Sequence, residues 1–388
     1  MFKCKNKKHI LPCLLVFFVL ACFGNKAGDS NKNYFSEADT SEAVDELPVE
    51  TGPPPPVMVP YEGEVLNIFF HPLVARPETA FRSKDRAHFL EWYITAGEYK
   101  KLLYEFYIQD YALLDINDFY EVTHTDGIRK IAVKKLLVPE GKKPLILSID
   151  DLSYYDFVRE TASVHKLVID ENGRIAAWTE TADSGAASSG AASSGELSYD
   201  LDIITITEEF IREYPDFSIN GAKGIIALTG YEGVLGYHTH ELDKPGYKEK
   251  AEQAIAVVNR LKELGWRFAS HSWGHPNLPN VPMTRFMSDT NRWDKEVRPI
   301  IGDTDLFIYP FGAGLENNEE RHKILRDRNF IVFFDVGRGW GHKIGPESEY
   351  LYFTRINIDG FHFRVYKDRA DRLFDIDKVI DREARSIR

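Results

Sequence analysis

The 388-residue chain has only three cysteines, Cys4, Cys13 and Cys22, and none after position 22. That excludes an intrachain disulfide framework in the body of the chain. Positive charge is also short: 48 Lys and Arg stand against 60 Asp and Glu, a net of −12. This argues against a nucleic-acid partner and against a polybasic membrane patch, and says little about a neutral ligand. The apolar run at 10–21 is too short for a conventional spanning helix. Apolar residues themselves are not lacking. A content of 43% hydrophobic and 13% aromatic excludes a disordered protein and is enough for one large α/β domain with short extras.

The first 22 residues have the form of a targeting segment. Lys3, Lys5, Lys7 and Lys8 precede the apolar run, which ends in Val19-Leu-Ala-Cys22. This end resembles a bacterial lipoprotein signal with Cys22 as the lipidated residue. The expected location is the outer face of the bacterial cell membrane, held through a lipid on Cys22. Residues 23–60 are polar, acidic and closed by four prolines at 53–56, a composition that predicts an extended tether. The domain is expected over 61–388.

Eight apolar runs read as strands: 66–71, 111–115, 144–149, 224–229, 267–270, 306–310, 331–336 and 352–358. They alternate with helical patterns, which predicts strands buried on both faces and a parallel sheet. Ala251, Ala254, Ile255, Val258, Leu261 and Leu264 recur at helical spacing, with Gly265 placed to end the helix. Residues 98–108 read as another helix. An insertion at about 160–220 is expected to hold a hairpin turning on Asn172-Gly173, a third strand over 197–207, and a helix at 208–213. Inside it, 183–195 is a small-residue tandem repeat that reads as a flexible surface loop.

Two stretches carry candidate chemistry. Phe268-Ala-Ser-His271-Ser-Trp-Gly-His275 places two imidazoles four residues apart. Leu145-Ile-Leu-Ser-Ile-Asp150-Asp151 is an apolar run that stops on paired acids. A buried strand ending in charge must find water, a cation or a ligand there. Two histidines and one carboxylate make a three-ligand zinc site whose open position takes the water that becomes the nucleophile. The second carboxylate is then free to act as general base. The residues His71, Asp150, Asp151, His271, Pro310, Asp335 and Asp359 all fall at the ends of predicted strands, where the active sites of (β/α) barrels are built.

Ser148-Ile-Asp150-Asp151 resembles the Thr-Phe-Asp-Asp-Gly motif of polysaccharide deacetylases, the NodB homology domain of carbohydrate esterase family four. His271-Ser-Trp-Gly-His275 resembles that family's His-Ser/Thr-x-x-His motif, and Tyr309-Pro-Phe-Gly312 its Pro-Tyr-Gly motif. The three stand in the family's order, and the resemblance spans about 62–370. It implies an α/β fold, a distorted (β/α)7–8 barrel, here with a small β insertion. It implies Asp151, His271 and His275 as ligands of a divalent metal, zinc first, and Asp150 as base. The Phe311 N–H is then the oxyanion donor beside Pro310. His71, Pro310, Asp335 and Trp340 line the substrate groove, with Arg355 and Asp359 tuning Asp150. The implied activity is removal of N-acetyl groups from a cell-wall or secreted polysaccharide.

Three positions depart from the pattern. Leu152 follows the acid pair where the family has Gly, and Ile308 stands where it has an Arg that orients the base. No Leu-x-His supplies the general acid. His362 is the working candidate, with His342, His238 and His240 beside it. The competing readings are a glycan-binding module without catalysis, and a metal hydrolase of an ester or a non-glycan amide.

Overall fold

The computed structural model describes residues 55–125, 128–181, 194–337, 339–365 and 372–386. The leader with Cys22, most of the tether and most of the 183–195 repeat lie outside them. All eight expected strands are present: β1 (Leu66–Phe70), β2 (Tyr111–Leu113), β3 (Lys143–Ile149), β4 (Ile225–Leu228), β5 (Arg267–Ser270), β6 (Leu306–Ile308), β7 (Val332–Val336) and β8 (Leu351–Asn357). Seven of them close a parallel barrel in the order β4-β5-β6-β7-β8-β1-β3, with β3 returning to β4 through Ser148 and Ile149. The eighth, β2, pairs with the first half of β3, from Lys143 to Leu145, and otherwise makes a single parallel bridge from Leu113 to Ser218. It is wedged in at the floor, so the barrel has seven strands at its mouth.

Alternation along the strands sorts the side chains. Ile146, Ala227, Ala269, Ile308, Phe334 and Phe353 come from strands all round the barrel yet share one cluster, which is the interior. Their neighbours Leu147, Ile226, Phe268, Phe307, Phe333 and Tyr352 join the residues of the surrounding helices. An antiparallel hairpin, Tyr120–Thr125 with Ile128–Val133, lies beyond β2, and its Tyr120 and Ile131 belong to the interior cluster.

The main helices are α1 (Ala96–Ile108), α2 (Ile203–Glu213), α3 (Tyr247–Glu263) and α4 (Met283–Glu296). Thr95 and Glu98 start α1 with a reciprocal capping box. The expected helix ending at Gly265 is α3. Gly265 has φ +103°, and a Cβ there would lie 2.5 Å from the Gly221 carbonyl oxygen, so a side chain is excluded on both counts. Among the described residues no helix is long and apolar enough to cross a membrane.

Two boundaries differ from expectation. Met58–Pro60, placed in the tether, pairs antiparallel with Leu137–Pro139. The insertion does form a three-stranded sheet, with Ile175–Glu180 between Lys166–Ile169 and Gly195–Ser198. Its third strand, however, stops at Ser198, and Asp202 then caps α2 by accepting the Ile204 N–H at 2.9 Å. Residues 203–207 are all buried, and a short apolar run of that kind reads equally well as strand or helix from its pattern.

Candidate active site

The inward parity of the strands delivers the site. On β3 it runs Ile146, Ser148 and then Asp150; on β5 it continues to His271, on β1 to His71, and on β8 through Arg355 and Asn357 to Asp359. His71, Asp150, Asp151, His271, His275, Asn357 and Asp359 all line one cavity of about 590 Å³ at the barrel mouth.

Asp150 is fixed first. Its N–H donates to the Phe70 carbonyl at 2.8 Å, joining β3 to β1. Arg355, fully buried, donates to both carboxylate oxygens at 2.8 and 3.0 Å and to Ser148 Oγ at 2.8 Å. Arg355 therefore occupies the role expected of an arginine at position 308, from β8 instead of β6. Burial pushes the Asp150 carboxyl up, and Arg355 leads the groups that outweigh it and hold it below the usual carboxylate range. A buried carboxylate with this fork of donors stays ionised, as a proton acceptor must.

Asp151, His271 and His275 form the one cluster of three metal-ligating side chains found among the described residues, their ligand atoms all within 4.8 Å of one another. His271 Nε2 lies 3.9 Å from Asp151 Oδ1, and His275 Nε2 lies 3.7 Å from Asp151 Oδ2. His271 Nδ1 is 2.8 Å from the Ile308 carbonyl, which can only accept, so Nδ1 carries the proton and Nε2 presents its lone pair. Burial lowers the His275 pKa, which favours the neutral imidazole that ligates metals. One anionic oxygen and two neutral nitrogens at this spacing fit a small divalent ion, zinc among the first choices.

The histidine loop is held from outside the barrel. Asp289 of α4 accepts the N–H groups of Trp273 and Gly274, both at 2.8 Å. Trp273 Nε1 donates to Glu296 at 2.7 Å, and Arg292 covers the indole face at 3.3 Å. Asp151, Ser272, His275 and Phe311 all hold left-handed backbone, with φ between 51° and 61°. Such conformations cost roughly 1–3 kcal/mol each and cluster where a site needs unusual side-chain directions.

The remaining expected residues divide. The Phe311 ring lies 4.5 Å from that of His275 and, with Gly312, lines the cavity. His71 lines it too, its Nδ1 3.0 Å from the Trp92 carbonyl. Pro310 is buried behind that turn and is not on the wall. Asp335 does not reach the cavity because its parity on β7 is outward, beside Tyr352; Val336 takes the wall instead. Trp340 lies at a second cavity with Tyr61, Phe119 and His342, just before the short antiparallel strand Gly341–Ile344. His362 is buried in the helix Gly360–Val365 and is also off the wall. His342, His238 and His240 are absent from the wall as well.

Sequence reasoning missed the aromatic wall. Tyr155 stacks on Tyr231 at 4.6 Å, and Trp92 on Phe361 at 5.7 Å. It also missed Tyr155 itself, whose hydroxyl donates to Asp151 Oδ1 at 2.5 Å. The only sequence signal for it was position, four residues after Asp151.

Residues 247–330, a stretch that includes His271, His275 and the turn at 309–312, match the polysaccharide deacetylase family model. Asp150 and Asp151 lie before the matched stretch. No curated protein matches the chain. Among solved structures, Streptococcus pyogenes deacetylase PplD in complex with acetate is 12% identical, with a TM-score of 0.42 over 83% of this chain and 100% of that one. BC0361, a polysaccharide deacetylase from Bacillus cereus, is 11% identical, with a TM-score of 0.43 over 80% and 68%. BA3943, a CE4 family pseudoenzyme from Bacillus anthracis, is 12% identical, with a TM-score of 0.24 over 42% and 53%. At these scores the likenesses carry no functional argument.

Proposed function

We propose that the chain is a metal-dependent hydrolase that removes acetyl groups from an N-acetylated glycan. The observation that carries this reading is the meeting of a forked, ionised Asp150 with the Asp151, His271 and His275 cluster on one cavity wall. A divalent ion held by those three side chains would polarise the acetyl carbonyl and activate water. Asp150 accepts the proton of the attacking water. The Phe311 N–H is the donor we assign to the developing oxyanion. For the acid we replace His362 with His71. Its Nδ1 is held by the Trp92 carbonyl at 3.0 Å, and we assign its other ring nitrogen to protonate the leaving amine. The aromatic wall offers flat apolar faces to sugar rings, and among the described residues no lysine or arginine lines the cavity to attract an anionic substrate.

The test is acetate release from N-acetylglucosamine oligomers by metal-stripped protein titrated with zinc. Release that rises and saturates near one ion per chain supports the proposal. Protein with confirmed bound metal and background release on several N-acetylated glycans sinks it in favour of a glycan-binding module. We also propose export and anchoring through a lipid on Cys22; a Cys22→Ser chain that stays in the membrane fraction like wild type overturns that part.

A further inference from the structure

The geometry points to Tyr155 as a positioning residue for the metal site: it orients Asp151 as a ligand at the end of a directed relay of three hydroxyls. This rests on the proposed metal site and adds a part to it. The Asp151 carboxylate can only accept, so the Tyr155 hydroxyl spends its one proton there, at 2.5 Å. Its 2.7 Å contact with Thr229 Oγ1 must then run the other way, with Thr229 donating. Thr229 has in turn no proton left for Ser153 Oγ at 3.1 Å, so Ser153 donates to it. The order Ser153 to Thr229 to Tyr155 to Asp151 uses each proton once and satisfies all three contacts; the other acceptor within reach of the Ser153 hydroxyl, the Thr229 carbonyl, is farther away at 3.5 Å.

Every member is placed for this. Ser153 and Thr229 are fully buried and Tyr155 nearly so. Thr229 is the next inward position after Ala227 on β4, and Ser153 and Tyr155 lie just beyond β3, so the relay bridges two adjacent strands at the mouth. The Tyr155 ring is clamped flat against Tyr231. Asp151 itself has left-handed backbone, and a short hydrogen bond to Oδ1 fixes the plane of its carboxylate with Oδ2 turned towards His275. Partners of this kind orient metal ligands and set their donor strength; their loss typically costs about 10–100-fold in metal affinity.

The experiment measures zinc affinity by chelator competition, and the visible spectrum of the cobalt(II) form, for wild type, Tyr155→Phe and Thr229→Val. Phe keeps the ring stack and removes only the hydroxyl. The expected result is a zinc Kd raised about 10–100-fold in Tyr155→Phe, with a weaker cobalt band as the freed carboxylate raises the coordination number. Thr229→Val, which leaves the last hydrogen bond in place, shifts the Kd by a smaller factor in the same direction. It supplies the test if Tyr155→Phe does not fold. Both variants binding zinc within about twofold of wild type, or a cobalt spectrum unchanged in Tyr155→Phe, overturns the assignment while leaving the site reading standing. Wild type that binds neither ion overturns both.

Discussion

On β8 the inward side chains run Leu351, Phe353, Arg355, Asn357 and then Asp359; on β3 they run Ile146, Ser148 and Asp150. The floor and the mouth of the barrel are thus built by the same strands with the same parity, two residues apart. At the floor, interior positions hold only shape: Ala227, Ala269, Ile308, Phe334 and Phe353 pack against one another. At the mouth, the charged inward groups have polar partners, from across the barrel for Asp150 and from its own strand end and the following helix for Asp359. Arg355 and Asp150 satisfy each other across β8 and β3, and Asp359 accepts from Asn357 Nδ2 at 2.7 Å and the His362 N–H at 2.8 Å. The difference is one of tolerance. Apolar positions lose stability in proportion to the volume removed, whereas a paired buried charge is costly to break and inexpensive to replace as a pair.

The sharpest way to break this comparison is at Asp150. Asp150→Asn keeps the size and most hydrogen bonds of the mouth layer but removes the proton acceptor. Its kcat for acetate release is expected to fall by ~10²–10⁴ with zinc affinity near wild type. Asp151→Asn is expected to fail differently, by weakening zinc binding, with partial recovery of rate at high zinc. If Asp150→Asn keeps wild-type turnover, the mouth layer is structural and the proton acceptor lies elsewhere.

Arg355 tests the energetic half. Arg355→Met leaves a buried carboxylate unpaired and is expected to cost about 3–5 kcal/mol in urea unfolding. The double change Asp150→Leu with Arg355→Met should restore much of that loss. Leu351→Ala at the floor, on the same strand, should cost about 2–5 kcal/mol with no such rescue partner. The two also differ in pH dependence. The folded pKa of Asp150 lies below its unfolded value of about 3.9, so the pair's contribution is complete above that value and is lost as pH falls through the lower folded one. Without Arg355, burial is opposed only by the charges of His271 and His71, so the folded pKa of Asp150 moves up from its wild-type position. The variant therefore gains stability relative to wild type as the pH is lowered. Parallel stability curves between about pH 3 and 7 for wild type and Arg355→Met would show that the pair is not what holds the layer together.

A smaller effect, about 10² in kcat, separates His71 from His362. His71→Asn should lose that rate with little change in melting temperature, since the ring is on the cavity wall and half-exposed. His362→Asn should do the reverse, because the ring is buried inside a helix. Equal rate losses for both would return His362 to the mechanism.

These contrasts also mark how far the sequence could be read. Runs such as 144–149 and 331–336 are continuous apolar stretches, so all eight strands were legible, along with the strand-end positions of Asp150 and His271. What period-2 parity does to residues past the strand was less so. Asp335 looked like a strand-end acid beside the site, yet it is the outward neighbour of Val336. Arg355 could be set beside Asp150 only through the family resemblance, because the pairing depends on β8 and β3 flanking β1 across 205 residues of sequence. Tyr155 left no periodic trace at all. Its role depends on a left-handed turn at Asp151 that no local pattern announces.

The smallest expected effect lies far from the mouth, in the insertion. Thr181 donates its N–H to the Ser194 carbonyl at 3.1 Å, and Glu180 stands opposite Gly195 in the antiparallel ladder. The two ends of the repeat are therefore already joined across one rung. Replacing 182–193 by Asn-Gly gives the shortest loop that closes such a hairpin. Shortening lowers the closure entropy, by roughly 0.6 kcal/mol for each halving of length, so the change acts slightly towards stability. For a domain of this size that is a rise of a few degrees at most in melting temperature. No residue of the insertion strands lines the cavity, so kcat and zinc affinity should stay within about twofold of wild type. Thermal melting and acetate release of the shortened chain decide it. A drop of many degrees would mean that the repeat carries packing the rung does not reveal. A loss of activity at unchanged stability would mean that it reaches the glycan, and that the mouth of the barrel is not the whole of the site.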